Sequence, residues 1–476
     1  MDLFYGISNQ IKGPQLSKNF DVVIVGAGIS GLLSALALSK EGKNVVLIEK
    51  DNYVGGVCRT YDVDGYRVDT GPHIITRLDS GPLKILMDRY FDVVPKFEPI
   101  GKYYVRMNGG VKPFPWSIRE WMMFDLIPIE DRSLMMKTAV DLMYMLSTGR
   151  DLSEVTIDEI IPSNLSKATI AFLDYLSYFM LGTSTANAPV ARFLDRKEYK
   201  LDRANEKSSI SIPYVGRLYN LLIGGRPNDQ MYPRGGIQRI VDSIIVSLPK
   251  NVEVKLSEEV VSIDVEGVRD GGRKTQEVER VTTDRDEYEC GTLIYSGSPH
   301  ELPGLMGGNL PVDFVENLRN VEQVDSLTVW LGLDGEAFTQ PGSEMWVSTD
   351  PSYHHTWLIP TSNYDPHLAP KGKQLVGFAF IVPKDVDPEE MRRRAMNTIF
   401  TTMPELEGKV EMMHYQELVP EKACWSINSG FGDVETPVDN LYCVGSSTIK
   451  RSMGLTRSAY SVLRMLDLME LDGNLK

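Results

Sequence analysis

Three glycines and one carboxylate near the start of the chain have a spacing that serves a specific chemistry. Gly26, Gly28 and Gly31 form a Gly-x-Gly-x-x-Gly series, and Glu49 follows Gly31 by eighteen positions. In this spacing the first glycine makes a tight turn, the second lets the backbone approach a pyrophosphate, and the third lets a helix pack closely on a strand. Glu49 is placed to accept hydrogen bonds from both hydroxyls of a ribose. The four residues together predict a site for an adenine dinucleotide.

A strand, a turn, a helix and a second strand must position these residues, and the flanking sequence predicts all four. Residues 22–25 form a short β-branched run, residues 32–40 have helical patterning that ends at Gly42, and residues 44–48 form a second apolar run. We therefore expect a right-handed βαβ unit over residues 21–49. The first free N–H groups of its helix, and the positive end of the helix dipole, would face the phosphates.

A second glycine-rich segment follows the βαβ unit. Gly55 and Gly56 precede Arg59, and residues 61–68 predict a hairpin. Paired glycines would let the backbone lie against a flat ring system, and the guanidinium of Arg59 would bind a phosphate or the negative charge of a reduced ring. A plain NAD dehydrogenase does not need this second loop.

These segments resemble the opening of the FAD-containing amine oxidase superfamily, which includes protoporphyrinogen oxidases and phytoene desaturases. The matching residues are GAGISGLLSALALSKEGKNVVLIEKDNYVGGVCRT at 26–60 and DTGPH at 69–73. Residues 231–237, MYPRGGI, resemble the Pro-x-Gly-Gly turn of the superfamily, and residues 440–448, NLYCVGSST, resemble its closing FAD motif. Residues 453–456 then open the last helix.

The resemblance implies FAD as the cofactor. Many members place Asp after the closing glycine, whereas Ser446 stands there in this chain, a version closer to the phytoene desaturases than to the amine oxidases. The tail also lacks the cysteine that some members use for covalent attachment, so we expect FAD to be held non-covalently. The residues expected to bind FAD are Gly26, Ala27, Gly28, Ser30, Gly31, Glu49, Lys50, Gly55, Gly56, Arg59, Gly71, Pro72, His73, Val260, Gly445, Ser446, Met453, Gly454, Leu455 and Thr456.

The resemblance also implies the architecture. We expect an α/β fold in which a Rossmann-like FAD/NAD(P)-binding domain is interleaved with an α+β substrate domain, made of an antiparallel sheet and a helical cap. The FAD-binding domain would comprise residues 1–100, 225–303 and 420–476, and the substrate domain residues 101–224 and 304–419.

Local patterns outside the motifs predict further elements. The charged segment 267–282 predicts an exposed hairpin or a disordered loop. β-branched and aromatic content predicts strands of the substrate domain at residues 326–333, 344–348, 355–360 and 373–382.

Two apolar segments point to the kind of substrate. Residues 116–146 are rich in methionine, and residues 170–181 place apolar side chains at three-residue intervals. Because thioethers adapt to irregular apolar ligands, we expect both segments to line a pocket beside the flavin. The alternative is a cap that packs only on itself. An exposed amphipathic helix also enters a lipid leaflet, so a peripheral membrane contact is left open, although the flanking charges are too few and mixed for a basic anchor.

The composition excludes other classes of function. The chain has 476 residues, which predicts two joined domains, and its net charge of −15 gives no general attraction for nucleic acid. Its four cysteines and six histidines form no metal-ligand spacing, so no metal is expected. No signal peptide or spanning helix is predicted, which favours a cytoplasmic protein, with membrane association and oligomeric state left open.

The leading hypothesis is an FAD-dependent oxidoreductase of the desaturase or oxidase type. It would transfer hydride between flavin and an apolar substrate, either an isoprenoid or a tetrapyrrole, and needs no catalytic triad. His73 is the candidate catalytic residue, because the corresponding loop of the superfamily runs beside the flavin; a role in orienting that loop is the alternative.

Two other functions remain open. One is a flavin-dependent isomerase like UDP-galactopyranose mutase, whose loops residues 71–74 and 112–115 resemble. This chain is long for that enzyme and lacks the Gly-Arg of its closing motif. Arginines converging on a phosphate, such as Arg192, Arg196 or Arg217, would favour the isomerase. The other is a flavin-binding protein without catalysis.

Overall fold

Two seven-stranded sheets form the framework of the protein. They are seen in a computed structural model. The α/β class expected from the sequence is confirmed. The structure describes residues 18–71, 73–148, 150–190, 229–270, 273–340, 342–350, 356–382, 386–473 and 475.

The strands and helices follow one another along the described residues. The strands are β1 (Lys18–Val25), β2 (Val45–Ile48), β3 (Thr60–Val63), β4 (Tyr66–Asp69), β5 (Phe97–Pro99), β6 (Lys102–Met107), β7 (Gly110–Pro113), β8 (Met231–Pro233), β9 (Val252–Lys255), β10 (Val260–Asp270), β11 (Arg273–Thr283), β12 (Glu287–Tyr295), β13 (Gln323–Leu333), β14 (Gly342–Trp346), β15 (Thr356–Ile359), β16 (Gln374–Ile381), β17 (Val410–Ala423) and β18 (Leu441–Cys443). The helices are α1 (Ile29–Lys40), α2 (Pro82–Tyr90), α3 (Ile118–Met122), α4 (Ile129–Ser147), α5 (Lys167–Leu181), α6 (Gln238–Ser247), α7 (Leu302–Leu305), α8 (Val312–Arg319), α9 (Pro388–Thr402) and α10 (Gly454–Leu471).

The first sheet has the order β10-β11-β12-β1-β2-β9, with β18 paired to β12. The predicted βαβ unit is confirmed, since β1 and β2 pair in parallel and α1 connects them. Helix α1 begins at Ile29, three residues earlier than predicted, because the glycine turn leads into it without a linker. The core on one face of this sheet is formed with α1, α2, α6 and α10.

Two hairpins predicted from the sequence are present. β3 and β4 pair around Asp64 and Gly65, whose φ angles of 50° and 83° give the turn that suits a two-residue hairpin. The charged segment 267–282, predicted as an exposed hairpin or a disordered loop, belongs to the hairpin of β10 and β11.

The second sheet has the order β17-β13-β16-β15-β14-β6-β7. The four predicted strands correspond to β13, β14, β15 and β16, whereas β6, β7 and β17 were missed. Strand β17 lacks clean alternation because it contains Pro420 and pairs with β13 through three register shifts. The sheet is not wholly antiparallel as expected, since β14 and β6 run parallel.

Helices α3, α4 and α5 pack together beside the second sheet. The methionine-rich segment forms two helices: α3, whose start is capped by Ser117 and Glu120, and α4, which Pro128 precedes. Asp131 of α4 accepts hydrogen bonds from Ser166 and Thr169 at the start of α5, which joins the two helices. Among the described helices none is both long and apolar enough to cross a membrane.

Candidate active site

The first glycine turn has the geometry that its spacing predicts. Gly26 has φ 94°, a left-handed value, and a Cβ on Gly31 would lie 1.9 Å from the Gly26 carbonyl oxygen. Gly28 precedes α1, and no side chain of the described residues caps the helix there. A Cβ built on Gly28 meets no heavy atom within 4 Å, so the backbone at this point faces open space. A pyrophosphate can therefore approach the first amides of α1.

Glu49 lies at the mouth of this turn. Its Oε2 atom accepts a hydrogen bond from the Ala27 N–H at 2.7 Å, and its Oε1 atom accepts one from the Asp51 N–H at 2.9 Å. Val260 begins β10 two residues after Glu258, whose N–H donates to the Glu49 carbonyl. Each carboxylate oxygen retains acceptor capacity, so Glu49 can still bind ribose hydroxyls.

The second glycine segment lies directly on the first turn. The Gly55 N–H donates to the Ala27 carbonyl at 2.8 Å, and a Cβ on Gly56 would lie 3.4 Å from the Gly28 Cα. Two of the residues expected to bind FAD, Arg59 and Lys50, contact other side chains. The Arg59 guanidinium carbon lies 3.9 Å from the Tyr53 ring centre, and Lys50 makes an exposed ion pair with Glu301 at 3.8 Å.

The closing motif, near the end of the chain, lies beside the first glycine turn. A Cβ on Gly445 would lie 3.8 Å from Ser30 Oγ, and Ser30 in turn is hydrogen-bonded to Ser296 at 2.8 Å. Helix α10 follows Met453 and has no side-chain cap from the described residues. Gly454, Leu455 and Thr456 are its first residues, and they supply amides of the kind that anions bind.

A loop after β4 joins α10 to the glycine segments. The Thr456 hydroxyl is hydrogen-bonded to Thr76 Oγ1 at 3.0 Å. His73 Nε2 donates to the Thr70 carbonyl at 2.7 Å, so its ring folds back on its own loop. Gly71 has φ 72°, while Pro72 lies outside the described residues.

Gln416 of β17 holds this loop from the second sheet, and sequence reasoning missed it. Its Oε1 atom accepts hydrogen bonds from the Gly71 N–H at 2.7 Å and from Trp330 Nε1 at 3.3 Å. Its Nε2 atom donates to the Asp69 carbonyl at 2.8 Å and to the Tyr61 hydroxyl at 2.7 Å. A glutamine in an unrecognised strand gives no local signal of such a role.

Asp69 is a second residue that the sequence did not single out for this role. Its buried carboxylate accepts hydrogen bonds from Thr60 Oγ1 at 2.6 Å, Tyr232 Oη at 2.7 Å and the Ile237 N–H at 3.1 Å. Burial raises the pKa of Asp69 in spite of these three donors. A Cβ on Gly236 would lie 2.8 Å from Asp69 Oδ1, which explains the paired glycines after Pro233.

The residues so assembled fit FAD. Bare backbone at Gly28 suits a pyrophosphate, Glu49 suits a ribose, and the loop at Gly71 together with the first turn of α10 suits a flat ring with a polar edge. Residues 26–71 and residues 445–456 supply these groups, and the approach of Gly445 to Ser30 brings the two stretches together after the carboxyl end of β1.

Comparison with known proteins identifies the family. The model of the family described as flavin containing amine oxidoreductases matches residues 29–460. The chain belongs to this family. It is therefore an FAD-dependent oxidoreductase, and the resemblance noted in the sequence is confirmed.

Curated relatives of this flavoenzyme match it over short segments. An uncharacterized protein in the nifH2 3′ region of Methanothermococcus thermolithotrophicus is 52% identical over 101 residues, 21% of this chain and 97% of that protein. The human all-trans-retinol 13,14-reductase is 30% identical over 120 residues, 22% of this chain and 20% of the reductase. The phytoene desaturase of Phycomyces blakesleeanus is 32% identical over 93 residues, 19% of this chain and 16% of the desaturase. The chain thus matches only a small part of either named enzyme.

Solved structures match the flavoenzyme over nearly its whole length. An oxidoreductase from Methanosarcina mazei has a TM-score of 0.69 and 18% identity, and the match covers 94% of this chain and 99% of that one. Reduced UDP-galactopyranose mutase has a TM-score of 0.64 and 16% identity, covering 95% and 94% of the two chains. At these identities the likeness shows the fold alone.

Proposed function

We propose that this enzyme transfers hydride between FAD and an apolar substrate of the isoprenoid or tetrapyrrole type. An aromatic wall formed by Tyr175, Phe179 and Trp357 carries the proposal. The ring centre of Phe179 lies 5.8 Å from that of Trp357 and 6.2 Å from that of Tyr175. Phe179 and Trp357 are only partly buried, so their rings retain surface for a ligand. Such a wall favours an apolar substrate over a sugar diphosphate.

Strand β17 brings this aromatic wall close to the loop at Gly71. The Val419 Cγ1 atom lies 3.2 Å from the position of a Cβ on Gly71. Three residues further along the strand, Lys422 Nζ donates to the Phe179 carbonyl at 2.6 Å. Three residues of strand span roughly 10 Å. A chain-like substrate lying on the wall would therefore extend to the loop that is expected to face the flavin.

The reaction requires few reactive groups from the protein side chains. Bound FAD supplies the hydride acceptor or donor at N5. The wall aligns a C–H bond and excludes water, and one proton leaves or joins the neighbouring carbon, so that a single bond becomes double or the reverse.

The Tyr61 hydroxyl and the His414 ring, which lie beside the Gly71 loop, can take up or release this proton. The Tyr61 hydroxyl accepts a hydrogen bond from Gln416 Nε2 and shares a second one with His414 Nε2 at 2.9 Å. Burial lowers the pKa of His414, which keeps its ring neutral and able to accept. His73, whose ring is occupied by the Thr70 carbonyl, fits the loop-orienting role better than a catalytic one.

The names of the relatives support an isoprenoid substrate. One relative is named for retinol and another for phytoene, and both compounds are isoprenoids. One name describes a reduction and the other a desaturation, so the names are compatible with both directions of transfer.

Flavin absorbance tests the proposal directly. The purified flavoprotein, oxidised or reduced without oxygen, is mixed with phytoene, all-trans-retinol or UDP-galactopyranose. We expect an isoprenoid to bleach or restore the visible absorbance of the flavin. Phe179→Glu should slow this reaction at least about tenfold with FAD retained, whereas Val312→Glu, at a side chain 74% exposed on α8, should not change it.

Turnover of UDP-galactopyranose with no net change in flavin absorbance would replace this proposal with the isomerase. The arginines whose convergence on a phosphate would favour that enzyme, Arg192, Arg196 and Arg217, lie outside the described residues.

The cap residues Met123, Val140 and Tyr144 are 69%, 60% and 71% exposed, which supports a peripheral membrane contact. Sedimentation with phosphatidylcholine vesicles tests that contact, and a protein that stays in the supernatant would contradict it.

A further inference from the structure

A buried arginine in the last helix holds the loop that closes the cofactor site. Arg457 is 1% exposed and lies in the first turn of α10. Its Nε and Nη2 atoms donate to the Ser452 carbonyl at 3.1 and 2.7 Å, and Nε also donates to the Arg451 carbonyl at 3.2 Å. Its Nη1 atom donates to the carbonyls of Ser446 at 2.9 Å and Ala423 at 3.3 Å. One side chain thus binds both ends of the segment 446–452.

This segment belongs to the closing loop, which we define as residues 445–454. Ile449 and Ser452 have φ angles of 67° and 55°, in the left-handed region that non-glycine residues avoid. For the β-branched Ile449 such a conformation is a rare outlier. Local preferences therefore oppose the shape of the closing loop, and contacts from outside it must hold that shape.

The chemistry of the guanidinium suits this task. Burial of a cation is costly unless polar groups replace its hydration, and a methionine of similar length would fill the space without that cost. The planar fork of an arginine directs its N–H groups in fixed directions, which a flexible ammonium cannot do. The Phe431 ring, 4.9 Å from the guanidinium carbon, covers one face of the fork. What Arg457 adds over an apolar residue is therefore the geometry of the carbonyls that it binds.

We propose that Arg457 is a positioning residue for FAD, which fixes the closing loop so that Gly445 and the first amides of α10 face the cofactor. The closing loop and the helix after it contact other segments expected to bind the cofactor. Gly445, at the start of the loop, lies beside Ser30, and the hydroxyl of Thr456, two residues after the loop ends, is bonded to Thr76. The proposal rests on FAD as the cofactor and does not depend on the identity of the substrate.

Titration of the FAD-free protein with FAD tests this role. In Arg457→Met we expect the Kd for FAD to rise by at least about tenfold and the visible spectrum of the bound flavin to change. Arg457→Lys should fall between this variant and the wild type, because one ammonium reaches fewer of the carbonyls.

A matched control separates positioning from simple loss of stability. Arg106→Met removes a guanidinium that is partly buried and donates to Glu344 at 2.8 and 3.2 Å in the second sheet. It should lower the Tm of the protein and leave the Kd for FAD within about twofold. If both variants weaken FAD binding equally, Arg457 has only a structural role and the proposal fails.

Relief of the backbone strain gives a second, independent readout. Glycine adopts the conformation of Ser452 without strain, so Ser452→Gly added to Arg457→Met should recover several-fold of the lost affinity. A wild-type Kd and spectrum in Arg457→Met would overturn the proposal. If that variant does not fold, a wild-type Kd in Arg457→Lys would overturn it instead.

Discussion

One methyl group added to Gly28 should remove FAD from this enzyme without unfolding it. A Cβ at Gly28 meets no heavy atom within 4 Å, and φ and ψ of −66° and 178° suit any residue. The same change at Gly31 would place a methyl group 1.9 Å from the Gly26 carbonyl and disrupt the turn. The two glycines of one motif therefore predict opposite outcomes: Gly28→Ala folds and fails to bind, whereas Gly31→Ala fails to fold.

The size of the effect follows from the hydrogen bonds that the methyl group blocks. The first amides of α1 have no side-chain cap among the described residues and are available to the pyrophosphate. A hydrogen bond to a charged group contributes about 1.5–3 kcal/mol, so the loss of two raises the Kd for FAD by about 10²- to 10⁴-fold. The free energy of unfolding of the FAD-free protein should stay equal or rise by up to about 1 kcal/mol, because alanine restricts the unfolded chain.

Fluorescence titration of FAD into FAD-free Gly28→Ala and Gly28→Val, with urea unfolding of each, measures both quantities. Gly408→Ala is the control, since a Cβ there also meets no heavy atom within 4 Å and the residue follows α9, next to the second sheet. A folded Gly28→Ala protein that binds FAD like the wild type would show that the pyrophosphate does not pass over Gly28.

Further predictions concern charge and burial in the cofactor site. Glu49→Gln should weaken FAD binding roughly ten- to hundredfold in the same titration, because the bonds to the ribose lose their charge assistance; an unchanged Kd would place the ribose elsewhere. Asp69→Asn should lower the free energy of unfolding by about 1–3 kcal/mol, since the Tyr232 hydroxyl loses its acceptor; adding Tyr232→Phe should restore part of this, and full additivity would contradict the coupling. Burial raises the pKa of the Cys58 and Cys443 thiols to about 12, so iodoacetamide should modify them in urea but scarcely in the folded protein, as measured by mass spectrometry; rapid modification of the folded protein would refute their burial.

The parts of the site that the sequence predicts are those coded by adjacent residues. The glycine turn, Glu49 and the Asp64–Gly65 hairpin turn each depend on a few neighbouring positions with special backbone or charge requirements. Because their spacing reports the local geometry directly, the amino-acid sequence alone predicts the βαβ unit and the mouth of the cofactor site.

The parts that were missed depend on contacts between distant residues. Gln416 and Gly71 are 345 positions apart, and Asp69 and Ile237 are 168 apart. A polar side chain in a strand looks like any solvent-facing residue until the pairing of β17 with β13 is known. The methionine-rich segment likewise has the pattern of one apolar run, whereas the structure divides it between Met122 and Ile129.

The domain boundaries given by the resemblance stay a prediction. The strands of the first sheet lie at residues 18–48, 252–295 and 441–443, and those of the second at residues 102–113 and 323–423. Strand β17 runs from 410 to 423, so it crosses the proposed boundary at residue 420. Gln416 of this strand contacts the loop at Gly71, and Lys422 contacts Phe179 of the aromatic wall.

The residues expected to bind the cofactor differ from those that we propose bind the substrate. The backbone at Gly28 and the start of α10, which no side chain of the described residues caps, offer contacts that any dinucleotide with a flat ring can use. Gln416 and Arg457 hold neighbouring backbone segments in place by hydrogen bonds to amide and carbonyl groups. None of these groups distinguishes one hydride donor from another. On the proposed function, we expect selectivity for the substrate to come from the aromatic wall and the cap. Phe179→Glu should therefore alter turnover without loss of FAD, whereas Arg457→Met should weaken FAD binding and leave the choice of substrate unchanged once the variant is saturated with FAD.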